Sequence, residues 1–381
     1  MRYLDHAATT FIRPESRAAM EPFLSERFGN ASGIHSAARS VKNAMEEARE
    51  RAAELLGARR PLEIVFTGGG TEADNLAVAG SALAGDRPRG VITTAVEHEA
   101  VLEAGAFVAK LGGSCTIVGV DSTGMVRAED LLAETDSETA VVSVMAANNE
   151  VGTIQPVREI AELMRAEFPE VAVHTDAVQA FVSEDITVQS TGADLISLAA
   201  HKFGGPQGVG LLYVRTGHKL EPTIHGGGQE MGRRSGTHNV AGIVGMVAAM
   251  EASVADRDAF RKRVGEARDG FEAELSRVVP GLVVNGNTAQ RLVQHSHVRF
   301  PGISAETLLI RLDQAGICAA AGSACQSGAI DISHVLEAMG FDDVAAGECV
   351  RFSFGWVDEA SDGAAAAHEV AAVLNAMERV A

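Results

Sequence analysis

Cysteine is scarce in this sequence. Its 381 residues hold four, at positions 115, 318, 325 and 349, and no two form a C-x-x-C pair. Four cysteines in a chain this long make no disulfide framework, and their spacing offers no structural zinc site. The default for each is a small buried hydrophobe. Positive charge is also short. The chain carries 32 Lys and Arg against 51 Asp and Glu, a formal charge of −19. So acidic a body is a poor non-specific ligand for nucleic acid or an anionic membrane, and neither is expected as a direct partner. Any anionic ligand must be held by a local site working against the global field. Long apolar runs are missing too. No stretch reaches the ~18–20 residues of a membrane span, and the opening "MRYLDHAATTF" lacks the apolar core of a signal peptide. A cytoplasmic protein is expected. There is no internal repeat.

What is present is alternation. "EIVFTGGG" leads into "TEADNLAVAGSALA", and "GVITTAV" into "EHEAVLEAGAFVAKL". "CTIVGV", "AVVSVMA" and "VAVHTDA" are further strand candidates, and "VREIAELMRAEF" has apolar residues at helical spacing. Strands alternating with helices imply an α/β fold, a mostly parallel sheet covered on both faces. After about Ala255 the pattern changes. A long charged helix ("DRDAFRKRVGEARDGFEAELSRV") precedes the strands "QHSHVRF" and "CVRFSF" and a closing helix, "DGAAAAHEVAAVLNAMERV". This reads as a smaller α+β domain.

Polar residues collect where the strands end, which is where open α/β sheets place ligands. "SLAAHKFGGPQGVG" puts Lys202 between an apolar strand and a glycine turn. Alone it reads equally as a surface loop lysine. A lysine in a dry pocket is a nucleophile whose typical product is a Schiff base. Asp176 in "HTDAVQAF" ends a strand 26 residues earlier. It suits either a helix cap or the carboxylate that keeps a pyridoxal phosphate ring nitrogen protonated. Gln179 stands three residues on, within reach of the ring hydroxyl. "TGGGTEADNL" ends a strand in three glycines and starts a helix near Thr71, an anion site made of free N–H groups and the helix dipole. No Gly-Lys-Ser/Thr follows, so it is not an ATP-type loop. His98, just after another strand, is either a structural histidine or a ring that stacks on a pyridine and exchanges protons near neutral pH. Together these supply an amine, a ring-nitrogen carboxylate, a phosphate site and a stacking ring.

The motifs "GNASGIHSAAR", "EIVFTGGGTEADNL", "NNEVGTIQP", "HTDAVQ", "AHKFGGPQGVG", "HGGGQEMGRRSGT" and "AAGSACQSG" resemble those of the cysteine desulfurases of the class V aminotransferase family. The likeness runs from "YLDHAATT" to "CVRFSFG" and is nearest the branch serving iron–sulfur assembly and tRNA thiolation. It implies the fold of the pyridoxal-phosphate-dependent transferases (fold type I). A large cofactor-binding domain would span 14–255, with a small domain from 1–13 and 256–381 carrying the reactive-cysteine loop. It places pyridoxal 5′-phosphate on Lys202, the ring contacts on Asp176, Gln179 and His98, and the phosphate contacts on Gly70, Thr71 and His201. Thr237 resembles a threonine that reaches the neighbouring subunit's phosphate, which implies a homodimer with shared sites. Asn149 and Arg351 resemble the pair that binds the substrate carboxylate; by themselves they read as a turn residue and a surface arginine.

Cys325, in the small-residue stretch "AAGSACQSGAI", matches the family's reactive cysteine. The resemblance then gives the order of events. L-cysteine displaces Lys202 from the cofactor, the freed amine removes the Cα proton, the Cys325 thiolate attacks the substrate sulfur, and alanine leaves. The Cys325 persulfide would pass to an iron–sulfur scaffold or a tRNA-thiolation enzyme. No resident metal is expected, although the family role allows Cys325 to ligate an iron–sulfur cluster transiently. Ala199 stands where the family usually has a phosphate-binding serine, Gln326 where it has Thr or Ser, and Phe11 where proline is common. The rivals are a class V aminotransferase or carbon–sulfur lyase, which would not need Cys325, and a non-catalytic sulfur-assembly partner.

Overall fold

The computed structural model describes residues 1–322 and 333–378. In chain order, β1 (Arg2–Tyr3) is followed by α1 (Pro14–Leu24), α2 (Ser36–Leu56), β2 (Ile64–Thr67), α3 (Gly70–Ala82), β3 (Gly90–Thr94) and α4 (Glu99–Lys110). Then come β4 (Ser114–Val118), α5 (Ala128–Glu134), β5 (Thr139–Ser143), α6 (Val157–Glu167), β6 (Ala172–Asp176), α7 (Val188–Thr191), β7 (Leu195–Ala199) and β8 (Gly210–Val214). The rest is α8 (Val240–Val278), β9 (Val283–Val284), β10 (His295–Arg299), α9 (Ala305–Gln314), β11 (Ile317–Cys318), α10 (His334–Ala338), α11 (Asp343–Ala346), β12 (Cys349–Ser353) and α12 (Asp362–Glu378).

Seven strands form the central sheet in the order β2-β8-β7-β6-β5-β3-β4. Only β8 runs against its neighbours; the other pairings are parallel. The parallel strands β5, β6 and β7 are buried along their whole length, as a sheet covered on both faces requires. Helices cover it through apolar stripes. On α6, Val157, Ile160, Ala161 and Met164 are buried at helical spacing. Smaller sheets pair β1 with β11, and β12 with β10 and β9.

The charged helix expected after Ala255 begins earlier, at Val240. There the Asn239 side chain accepts from the Gly242 N–H at 3.0 Å. Its first half is apolar and buried against α1 and α2, and its charged second half packs on α12, so the two halves differ in composition within one 39-residue helix. Among the described residues, no helix is long and apolar enough to cross a membrane.

Candidate active site

Because β2, β3, β5, β6 and β7 run the same way, their C-terminal ends open on one edge of the sheet. The glycine turn after β2 opens α3. His98 follows β3, Asn149 follows β5, Asp176 closes β6, and a single 3-10 turn after β7 carries His201 and Lys202. Arg351 comes from the other side, on β12. Gly70, Thr71, His98, Asn149, Asp176, Gln179, His201, Lys202 and Arg351 line one cavity of about 310 Å³.

The Lys202 Nζ donates to the carbonyls of Ala7 at 2.5 Å and Ala8 at 3.0 Å. Gln179 Nε2 donates to the same Ala7 carbonyl at 2.9 Å, so the N-terminal segment ties both side chains to the wall. The His98 Nδ1 accepts from the Ala100 N–H at 3.0 Å and caps α4. In its neutral form the ring therefore carries its proton on Nε2. The structural and functional readings of His98 are compatible, since capping occupies only one nitrogen. Asp176 Oδ1 accepts from the Val178 N–H at 2.9 Å. Burial pushes its carboxyl up, while His98, the Val178 N–H and Lys202 pull it back. Burial, with Lys202 adding, lowers His201 to about 4, so the ring is neutral at pH 7.

Arg351 is buried, donates to the Asn149 carbonyl at 2.9 Å and pairs with Asp5 at 2.9 Å. Its Nε has no hydrogen-bond partner. A second, open recess of about 800 Å³ continues past Gly70, Thr71 and His201 along Gly68, Gly69 and Gln207. The α3 N-terminus faces both spaces. An acid in its first turn, Glu72, is neutralised by Arg234 at 2.7 Å.

Thr237 does not join the wall. It is exposed, just beyond the segment that holds Arg234. That segment is anchored by Glu230, which stands at φ 48° beside Met231 at φ 60°, both left-handed. Arg49 donates twice to Glu230 at 2.7 Å, and the Phe66 N–H and His238 also bond it. Burial alone would raise the Glu230 carboxyl, but these bonds push it down to about 2. Arg49→Met leaves the buried carboxylate without its cation and is expected to cost about 3–5 kcal/mol, measured by urea denaturation.

Cys325 lies outside the described residues, as does Gln326. The chain on either side is attached beside the cavity. Ala320 exchanges backbone bonds with Arg351 at 2.7 and 3.1 Å, and Ser333 donates to Glu150 at 2.6 Å. Of the other cysteines only Cys349 is buried; Cys115 and Cys318 are half-buried, which corrects the expectation of burial for all three. Cys115 sits on β4, the sheet's outermost strand, and Cys318 on a two-residue strand, so neither is covered on all sides.

Sequence reasoning missed Asp5, the Ala7 and Ala8 carbonyls, and two buried acids, Asp74 and Glu97. Backbone carbonyls leave no trace in a sequence. Asp74 did leave one, the single acid in the mostly apolar run "ADNLAVAG".

The glycine turn, the lysine turn and the acid at the β6 end are features of an α/β enzyme that places an anion site, an amine and a buried acid together at its strand ends. The chain belongs to the class-V aminotransferase family, whose model matches residues 2–363. The cysteine desulfurase IscS of Dictyoglomus turgidum is 43% identical over 354 residues, which cover 93% of this chain and 89% of that protein. A solved NifS-like protein superposes with a TM-score of 0.91 at 36% identity, covering 98% of this chain and all of that one. A structure described as SspA in complex with cysteine gives a TM-score of 0.80 at 32% identity, covering 93% of this chain and 99% of that one. Its similar relatives thus stand among the cysteine desulfurases.

Proposed function

We infer that this protein is a cysteine desulfurase that takes sulfur from L-cysteine, releases alanine and uses pyridoxal 5′-phosphate. The observation that carries the reading is the convergence of the Lys202 amine, the Asp176 carboxyl, the His98 ring and the α3 N-terminus on one cavity. L-cysteine as substrate is supported by the similar structure that holds cysteine. When bound, the cofactor supplies an aldehyde that captures an amine and a ring that withdraws electrons from the substrate Cα.

The residues fit such a group. A Cβ at Gly70 would stand 3.0 Å from Val178 Cγ2 and 3.3 Å from the Ala199 Cβ, so glycine leaves the helix N-terminus open to a phosphate. The methyl of Ala199 occupies this spot without a hydroxyl, so Thr71 and the N–H groups of the turn carry the phosphate, with His201 beside them. Asp176 holds the proton on the ring nitrogen, Gln179 meets the ring hydroxyl, and His98 stacks. Lys202 covalently anchors the cofactor and then moves the Cα proton. The free Nε of Arg351 and the Asn149 side chain take the substrate carboxylate. Cys325 receives the sulfur and passes it to an acceptor protein, an iron–sulfur scaffold or a tRNA-thiolation enzyme, in the cytoplasm.

The purified protein is expected to be yellow with bound pyridoxal phosphate and to form alanine from L-cysteine; a colourless protein that neither binds the cofactor nor forms alanine overturns the reading. A homodimer belongs to the same proposal. It is supported by the exposed Thr237 and by the exposed apolar side chains Leu24, Phe28 and Ile34. Thr237→Ala is expected to weaken cofactor retention by about 1–3 kcal/mol, the loss of one charge-assisted hydrogen bond, measured by dialysis against pyridoxal phosphate. A fully active monomer in sedimentation would exclude sharing between subunits.

A further inference from the structure

One ionisable side chain of α3 points at the cavity from inside the core. Asp74 is 2% exposed, among the fully buried Ala73, Leu76, Ala77 and Val78, and it shares the cavity wall with Asp176. Its Oδ1 has no hydrogen-bond partner. The His174 Nε2 stands 3.7 Å from it, beyond hydrogen-bond range. Both nitrogens of that ring are already occupied, Nδ1 by Ser143 Oγ at 2.8 Å and Nε2 by Ser197 Oγ at 2.9 Å. The Ser197 hydroxyl lies near enough to favour the Asp74 carboxylate slightly, but less than burial and Asp176 oppose it. A buried polar chain thus runs Ser197–His174–Ser143, from β7 across β6 to β5, with Asp74 of α3 beside its Ser197 end.

The groups around Asp74 give it no positive charge. Burial drives its carboxyl well above the usual range, and repulsion from Asp176 adds to this, with a smaller push from Glu97. Burial holds Glu97 itself at about 8, against bonds from the Met145 N–H and Thr94. On β6, burial lowers His174 to about 3, which keeps the ring neutral. The charges of His98 and Lys202 act on Asp176 instead. Two carboxyls in one dry wall do not both ionise, and the one without a cation keeps the proton.

We propose that Asp74 is a positioning residue: held as the neutral acid between Ser197 and Asp176, it leaves Asp176 the single anion opposite the cofactor's ring nitrogen. The inference rests on the function proposed above only for the identity of the group that Asp176 faces. Its consequence is that the Asp74–Asp176 pair presents one negative charge, not two, to the group that Asp176 faces.

The test uses full-length protein, with cofactor and stripped of it. An acid that keeps its proton in the fold loses that proton on unfolding, so it costs stability as pH rises above the ordinary carboxylate value of about 4. Asp74→Asn, near-isosteric and neutral, removes this penalty. The melting temperature of the stripped variant relative to wild type is therefore expected to gain at least about 2 °C between pH 5 and pH 8. Asp74→Ser, a smaller neutral variant, is expected to show the same gain even if its melting temperature is lower throughout. A constant gap, or one that moves against the variants as pH rises, overturns the proposal and favours an ionised Asp74 paired with a charged His174. With cofactor, Asp74→Asn is expected to hold pyridoxal phosphate within about threefold of the wild-type Kd, with the absorbance–pH profile of the bound cofactor unmoved. Asp176→Asn should shift both. An Asp74→Asn profile shifted like that of Asp176→Asn makes Asp74 the anion and also overturns the proposal. If wild type binds no pyridoxal phosphate, the functional reading fails, and the melting series still decides the state of Asp74.

Discussion

Replacing Lys202 with alanine is expected to abolish alanine formation from L-cysteine while the protein still holds pyridoxal phosphate non-covalently. Of the five lysines in the sequence, only Lys202 lines the cavity. Two backbone carbonyls hold its amine against the wall, on a short turn that leaves the side chain little freedom. Losing its acid–base role alone would lower the rate by roughly 10²–10⁴-fold, and loss of the covalent anchor adds to that. Binding should survive because, in the proposed reading, the phosphate and ring contacts would come from other elements: the α3 N-terminus, His98, Asp176 and Gln179. Borohydride reduction of wild type, followed by peptide mapping, should find the cofactor on the peptide containing Lys202. A label on Lys42, Lys110, Lys219 or Lys262 would overturn the assignment. So would a Lys202→Ala protein that keeps wild-type turnover.

Much of this site is legible in the sequence, because open parallel sheets put their chemistry in one place. Once β2, β3, β6 and β7 are recognised as apolar runs, the polar residues after each have to meet at one edge. That is why Gly70, His98, Asp176 and Lys202 share a cavity although they are far apart in sequence. The rest is illegible for physical reasons. The Ala7 and Ala8 carbonyls act through backbone atoms that any residue would present. Asp5 pairs with Arg351 across 346 positions, a contact that no local pattern encodes. The start of α8 is hidden because burial against α1 and α2 selects an apolar first half, and solvent exposure selects a charged second half. Asp74 is visible within a motif, but there it passes for part of a helix start, and only the fold brings Asp176 and Ser197 to it. Thr237 matches a family position, yet within a single chain it stands exposed, outside the cavity wall.

Cys325→Ala is expected to separate sulfur removal from the steps before it. The variant should still bind L-cysteine and change the spectrum of the bound cofactor, because the proposed reading gives those steps to Lys202, Asn149 and Arg351, all in the described wall. It should form almost no alanine. Breaking the carbon–sulfur bond of the substrate by transfer requires a thiolate to make the new sulfur–sulfur bond, and the electron pair of the broken bond stays with carbon, which is protonated to give alanine. The other cysteines are poor substitutes. Burial pushes the Cys349 thiol up to about 11 and raises that of Cys115, so neither is a thiolate at pH 7. Cys318 is on β11, and none of the three lines the cavity. Replacing any of them with alanine should therefore keep most of the activity, with losses that follow stability. Mass spectrometry after a brief pulse of L-cysteine should find one added sulfur on the peptide containing Cys325. Desulfuration at the wild-type rate by Cys325→Ala would remove the need for a sulfur-accepting thiol. It would make the enzyme a carbon–sulfur lyase built on the same lysine, aspartate and histidine.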